Sequence, residues 1–235
     1  MFRLFADLGF RWKIALPIIS LAILLVLMGV LGMRGIDQGV ESSTRLTNRY
    51  LPAISLLLNA DRDLYQAFVA ERSLLGAGSG EHLSGLRAAH AENLQQAYER
   101  VHQYAKMQPG DEALRLVAEF DAGFARWKGV SQQVIGLAES DPLAASQMSF
   151  AQSEPAFDAM RDAIDKLGEL EDRASAAEGS EAIAEGESHR FQQGLIVVIG
   201  VAGCLVLVLG FPALVTRPMQ RLLHRIEQIA EGRSE

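Results

Sequence analysis

The segment IALPIISLAILLVLMGVLGM, residues Ile14 to Met33, contains 20 consecutive residues without a charged side chain. A second segment of this kind, GLIVVIGVAGCLVLVLGFPALV, extends over 22 residues from Gly194 to Val215. About 20 apolar residues in a helix span the hydrocarbon core of a bilayer. The sequence therefore predicts two transmembrane helices, at residues 14–33 and 194–215, with a separate domain between them. The first segment is longer than the apolar core of a cleaved signal peptide, which favours an uncleaved anchor.

Basic residues flank the two apolar segments on the sides that lead to the chain ends. They are Arg3, Arg11 and Lys13 before the first segment, and Arg217, Arg221 and Arg225 after the second. Because Lys and Arg concentrate on the cytoplasmic side of membrane helices, both termini are predicted to be cytoplasmic. Residues 34–193 are then extracytoplasmic. They carry 15 Lys and Arg against 25 Asp and Glu, an acidic balance that argues against a nucleic-acid partner.

Three turn-forming stretches, GAGSG (76–80), QPGD (108–111) and ESDP (139–142), divide residues 34–193 into four helix-forming pieces. The first piece has a seam whose spacing alternates between four and three residues. Its positions are Ile36, Val40, Ser43, Thr47, Tyr50, Ile54, Leu57, Asp61, Leu64, Phe68, Glu71 and Leu75. This period is typical of bundle helices. The predicted fold is all-α, a membrane-anchored antiparallel four-helix bundle with two transmembrane helices.

The residues after the second apolar segment, TRPMQRLLHRIEQIAEGRSE (216–235), also follow a helical pattern. Pro218 is followed by apolar residues at three- and four-residue spacing and then by Ala230-Glu231-Gly232. This pattern resembles the first helix of a HAMP linker, a parallel dimeric four-helix unit with two helices per subunit. The second HAMP helix is absent, so we expect the chain to be a fragment or a natural truncation.

With these features the chain resembles the N-terminal portion of a bacterial methyl-accepting chemotaxis protein. The stretch LPAISLLLNADRDLYQAFVAERSLL (51–75) is similar to the first sensor helix of that family. The resemblance implies a cytoplasmic N-terminus (1–13), a transmembrane helix (14–33), a periplasmic sensor domain (34–193), a second transmembrane helix (194–215) and a truncated HAMP linker (216–235). It also implies a homodimer in the bacterial inner membrane, with receptor arrays in the full-length parent. We expect a cysteine at Ile54 to crosslink between subunits.

The resemblance places a small-molecule ligand, such as an amino or organic acid, near the membrane-distal end of the bundle. Asp61, Tyr65, Phe68 and Arg72 fall within about 60° of one another on the first sensor helix, and Arg62 lies on a neighbouring face. Arg62 and Arg72 have the guanidinium geometry that binds a carboxylate bidentately. The same residues also suit ion pairs across the bundle or dimer that set its register.

Ligand binding is expected to displace a helix, and the displacement would pass through the second span into HAMP. The residues assigned to this relay are Pro212, Pro218, Met219, Leu222, Ile226, Ile229 and Gly232. We expect no enzymatic activity, catalytic residue, metal site or cofactor, because the sequence has no phosphate loop, no G-x-S-x-G motif and no i, i+4 histidine pair. His90, on the seam of the second helix, is interpreted as a satisfied core histidine. Two alternatives stay open: the input module of a HAMP-containing sensor histidine kinase or diguanylate cyclase, and a stand-alone two-span structural membrane protein.

Overall fold

The computed structural model describes residues 10–76, 81–107, 110–211, 220 and 223–227. The helices are α1 (Phe10–Arg45), α2 (Leu51–Leu74), α3 (Glu81–Lys106), α4 (Asp111–Leu137), α5 (Pro142–Met148) and α6 (Glu154–Phe211). Two five-residue π-helical segments interrupt this order: the first π segment (Leu46–Tyr50) precedes α2, and the second π segment (Ser149–Ser153) precedes α6. Across the described ranges the chain contains no strand, which confirms the predicted all-α fold.

The chain forms two compact units. The bundle unit is Ser42–Ser180, and the span unit is Met1–Glu41 together with Glu181–Glu235. The bundle unit holds α2, α3, α4 and α5, both π segments and the beginning of α6. The span unit holds most of α1 and the C-terminal part of α6. The predicted domain boundaries within these units remain predictions.

One buried row of the first bundle helix follows a three–four spacing, and Asp63 and Ala70 are buried beside it. Its members are Tyr50, Ala53, Leu57, Ala60, Leu64, Ala67, Glu71 and Leu74. The predicted seam is therefore right at every second position from Tyr50 onward. Its remaining positions in this helix, Ile54, Asp61, Phe68 and Leu75, are only partly buried. The intervening positions of the row are Ala53, Ala60, Ala67 and Leu74, and the three alanines allow the neighbouring helix backbone to approach closely.

The other bundle helices bury the aromatic and branched side chains that the sequence places on their apolar faces. The largest completely buried side chains include Trp127, Tyr104, Phe120, Phe157 and Met160. These residues come from α3, α4 and α6, and they form one continuous core with the α2 face. Close approach is visible where Gly123 of α4 meets α6. A Cβ atom at Gly123 would lie 3.0 Å from the Cα of Met160.

The turns between helices explain why the helices begin where they do. Gly110 has φ +90°, a conformation that glycine adopts readily, and α4 begins at the next residue. Asp111 and Glu112 in the first turn of α4 complement the positive end of the helix dipole. Asp141 caps α5 by accepting a hydrogen bond from the Ala144 amide at 3.0 Å.

Both π segments have the same local cause. Each one ends two residues before a proline, Pro52 in α2 and Pro155 in α6. A proline inside a helix has no N–H to donate, and its ring clashes with the carbonyl four residues earlier. For these two prolines that carbonyl lies inside the π segment, where the wider turn removes the clash. The helix therefore continues past each proline.

In the span unit, α1 and α6 each contain an apolar stretch long enough to cross a membrane, and no residue of either stretch is buried. Polar contacts also occur inside this unit. His189 Nε2 lies 2.5 Å from Gln38 Oε1, and a Cβ atom at Gly35 would lie 3.7 Å from the His189 side chain. Gly35 therefore faces a histidine of its own chain, while Gly39 has nothing within 4 Å of a Cβ position.

Candidate functional site

The predicted stripe of Asp61, Tyr65, Phe68 and Arg72 lies on the side of α2 that contacts the second π segment and α6. Asp61 accepts two hydrogen bonds from Arg161, at 2.6 and 3.2 Å. The same guanidinium lies 4.3 Å from the centroid of the Tyr65 ring. The hydrogen bond to Asp61 raises the pKa of Arg161. At this end of the stripe, the carboxylate and the phenol ring thus share one cation from the facing helix.

The other half of the stripe is also engaged within the chain. Phe68 stacks on Phe157 with ring centroids 4.4 Å apart. Arg72 lies over the Phe150 ring at 3.8 Å and forms an ion pair with Glu154 at 2.6 Å. The sequence correctly placed these four residues side by side. The structure adds that each charged member, Asp61 and Arg72, has an oppositely charged partner in its own chain. The ligand and register interpretations of the stripe both stay predictions.

Arg62 has a different environment. Its guanidinium bonds Asp63 at 2.8 and 3.1 Å, and its side chain is 53% exposed. Asp63 is completely buried, and the Nε of Arg100 lies 2.8 Å from its second carboxylate oxygen. One buried carboxylate therefore holds two arginines of α2 and α3. Because about half of the Arg62 side chain is exposed, its guanidinium is accessible to a ligand.

A groove between α2 and α3 begins at Arg62. It encloses about 420 Å³, and Tyr65 and Val69 form part of its α2 wall while Leu86 and Asn93 form part of its α3 wall. Its surface is mainly apolar, and Arg62 is the charged residue among those that line it. An organic acid that places its carboxylate on Arg62 fits this arrangement chemically. The groove brings together Arg62 and Tyr65, whereas Asp61, Phe68 and Arg72 do not line it.

Sequence reasoning missed a buried polar layer inside the bundle. The Glu71 carboxylate, which is completely buried, accepts hydrogen bonds from Ser149 at 2.6 Å and from Ser153 at 2.8 Å. Ser153 also accepts a hydrogen bond from Trp127 Nε1 at 3.1 Å. Among the described residues, no Lys or Arg forms an ion pair with Glu71. Glu71 occupied a seam position in the sequence, but its partners lie 78 and 82 residues away, where no local pattern reveals them.

His90 belongs to the same region of the core. Its Nε2 lies 2.7 Å from Ser131 Oγ, and its side chain is buried. Burial lowers the pKa of His90, and the nearby Glu71 charge opposes this shift. The ring of Trp127 lies edge-on to it at 6.3 Å. His90 is thus a satisfied core histidine, as interpreted from the sequence.

A second set of contacts joins α1 to α6 near the first and last residues of the bundle unit. Arg45 donates to Glu178 through Nε at 2.9 Å and through a terminal nitrogen at 2.6 Å. Ser42 donates to the same carboxylate oxygen at 3.0 Å. These donors lower the pKa of Glu178. The cluster fixes the axial register of α1 against α6 where both helices leave the bundle core.

Most of the residues assigned to signal relay lie outside the described residues: Pro212, Pro218, Met219, Leu222, Ile229 and Gly232. Ile226 is described, within a helical stretch at 223–227, and its side chain is 62% exposed. An exposed apolar side chain in a helix of this kind is available for a partner. The relay role of these residues stays a prediction.

A family model described as a four helix bundle sensory module for signal transduction matches residues 7–185. No curated protein and no solved structure showed significant similarity to the chain. The matched range includes the first apolar segment and the whole bundle unit.

Proposed function

The chain belongs to the family of four-helix-bundle sensory modules for signal transduction that chemotaxis receptors carry, and on that premise we propose that it is the sensing half of a transmembrane chemoreceptor. The bundle binds a small molecule outside the cytoplasm, the two apolar helices cross the inner membrane, and both termini are cytoplasmic. The chain itself performs no chemistry. The observation that carries this proposal is the family match over the bundle unit, which two apolar segments flank in the sequence.

The relay in this proposal is a shift between two packings of the bundle, one of which binds the ligand better. Support comes from α6, which is one hydrogen-bonded helix from Glu154 to Phe211. The Arg45–Glu178 cluster ties α1 to α6 at the base of the bundle unit. A change of axial register at this cluster would therefore displace both helices. The HAMP-like segment after the second span would receive it.

We propose a homodimer that forms through the outer face of α2. Leu51, Leu58, Tyr65 and Val69 lie within about 40° of one another on that face by helix geometry. Their exposed fractions are 61%, 66%, 43% and 58%. A continuous exposed apolar stripe on a helix marks an interaction surface, and the heptad spacing of the first three residues suits a parallel copy of the same helix.

Disulfide crosslinking in membranes tests the dimer. In a Cys204→Ser background, which removes the single native cysteine, Leu58→Cys is expected to give an intersubunit disulfide. Glu119→Cys, at an exposed position on α4, is the matched control and is expected to stay monomeric. Equal crosslinking of the two variants, or none at Leu58, would contradict this interface.

The sensing role is tested with a chimera. Residues 1–235 are joined to the kinase-controlling part of a chemotaxis receptor, and kinase activity is measured while a panel of amino and organic acids is added. We expect at least one acid to change the activity, and Arg62→Gln to shift its half-maximal concentration upward. Arg115→Gln removes an exposed charge on α4 and serves as the control. A chimera with normal basal activity that answers no compound in the panel would contradict sensing of this ligand class.

A further inference from the structure

A second groove lies between α3 and α4, and neither Arg62 nor any residue of the stripe on α2 lines it. It encloses about 530 Å³, a size typical of small-molecule sites. Two alanines line it, Ala91 on α3 and Ala125 on α4. Both alanines are exposed, so the space between the helices opens to solvent.

Two aromatic rings form one wall of this groove. Tyr98 and Phe124 have ring centroids 5.2 Å apart. Phe124 is 6% exposed and Tyr98 is 40% exposed, so the pair extends from the core to the surface. A flat apolar group that enters the groove would contact chiefly the Tyr98 ring, because Phe124 is almost fully buried. Contacts of this kind between aromatic groups are worth about 0.5–1.5 kcal/mol beyond area burial.

A cation stands beside the aromatic wall. The Lys128 ammonium lies 6.0 Å from the centroid of the Phe124 ring, and Lys128 lines the groove together with the amide of Gln132. Within the part of the chain that the structure describes, no carboxylate lies within ion-pairing distance of Lys128. By contrast, Arg62, Arg72 and Arg161 each contact a carboxylate of their own chain.

From this geometry we propose that the groove between α3 and α4 binds an aromatic carboxylate, with the ring against Tyr98 and Phe124 and the carboxylate on Lys128. The Gln132 amide offers a further donor at the same end. An aliphatic dicarboxylate gains nothing from the aromatic wall, and a neutral aromatic amide gains nothing from the ammonium. The groove therefore selects for both features together. The biological role of this groove rests on the proposed sensing function. Binding of an aromatic carboxylate can be measured whether or not it changes kinase activity.

The test uses the full chain in lipid nanodiscs and benzoate as the probe. Binding is measured by isothermal titration and by fluorine NMR of 4-fluorobenzoate. We expect saturable benzoate binding, with benzamide and succinate each at least tenfold weaker. Lys128→Gln is expected to weaken benzoate binding at least tenfold, because a charge-assisted hydrogen bond is lost. Arg126→Gln removes the same charge from an exposed position on α4 outside the groove and is expected to change binding less than twofold.

A steric variant keeps the test independent of charge. Ala91→Leu fills an exposed groove position without touching the core, so it is expected to abolish binding while the far-ultraviolet circular dichroism stays unchanged. The proposal is overturned if benzoate shows no saturable binding, if Lys128→Gln and Ala91→Leu both bind as the native chain does, or if Arg62→Gln and not Lys128→Gln removes the binding. Benzoate that binds in the groove but leaves the kinase activity of the chimera unchanged would count against the sensing function and leave the site intact.

Discussion

The buried carboxylate of Glu71 makes Ser153→Ala a severe test of the polar layer. The Ser153 hydroxyl donates to Glu71 at 2.8 Å and accepts from Trp127 Nε1 at 3.1 Å, and all three side chains are buried. Alanine leaves one carboxylate oxygen and one indole N–H without that partner. Each unpaired buried group costs about 1–3 kcal/mol, and charged groups lie at the upper end. We expect a loss of about 3–5 kcal/mol.

This loss translates into a measurable melting shift. The bundle unit has about 140 residues, and an unfolding entropy of about 2.1 cal/mol/K per residue gives about 0.3 kcal/mol per degree. Ser153→Ala is therefore expected to lower Tm by about 10–17 °C. The assay is thermal unfolding in a fixed detergent, followed by Trp127 fluorescence in a Trp12→Phe background, which leaves one tryptophan.

Two comparisons isolate the cause. Ser180→Ala removes an exposed hydroxyl that bonds only its own helix, and we expect a change within about 0.5 kcal/mol. In a Glu71→Gln background the penalty of Ser153→Ala is expected to fall by about 1–2 kcal/mol, because an unpaired amide costs less than an unpaired carboxylate. If Ser153→Ala and Ser180→Ala have the same Tm, the Ser153 hydroxyl does not compensate the buried carboxylate of Glu71.

Two further predictions concern packing and protonation. Gly123→Ala places a Cβ 3.0 Å from the Met160 Cα and is expected to lower Tm. Gly129→Ala, in the same helix, meets open space and is expected to add about 0.5–1 kcal/mol to the free energy of unfolding. Equal Tm shifts for the two variants would contradict the close approach of α4 and α6. Burial lowers the pKa of His90, so the folded state resists protonation, and stability should fall as the pH drops below 6.5. His90→Gln should flatten the dependence of Tm on pH between 7.5 and 5.5, and an unchanged slope would count against this assignment.

Local sequence chemistry was enough to predict the helices of the bundle. The breaks at QPGD and ESDP work through Gly110 and Asp141, whose roles depend only on their own backbone and the next three residues. The core was predicted less completely. Alanine is common on every face of a helix, so nothing in the spacing distinguished Ala53 or Ala60 from a surface alanine. Their burial follows from how closely α3 approaches α2, which is a property of the assembled bundle.

The stripe on α2 shows that the candidate site, like the core, could be predicted only in part from the sequence. Helical periodicity correctly placed Asp61 and Arg72 on one face. It did not reveal Arg161, which lies 100 residues further along the chain and neutralises Asp61, or Glu154, which pairs with Arg72. Ion pairs between distant helices depend on their axial register. In this chain that register is also affected by the π segments that Pro52 and Pro155 impose.

The topology of the chain in the membrane tests the central proposal most directly. In a Cys204→Ser background, single cysteines are placed at Glu119 on α4 and at Glu227 after the second apolar segment, where both side chains are exposed. A maleimide that crosses the outer membrane but not the inner membrane is then added to intact cells. A sensor bundle outside the cytoplasm predicts labelling of Glu119→Cys in intact cells, and labelling of Glu227→Cys only after the inner membrane is opened. Labelling of Glu119→Cys only after that opening would contradict the proposed receptor.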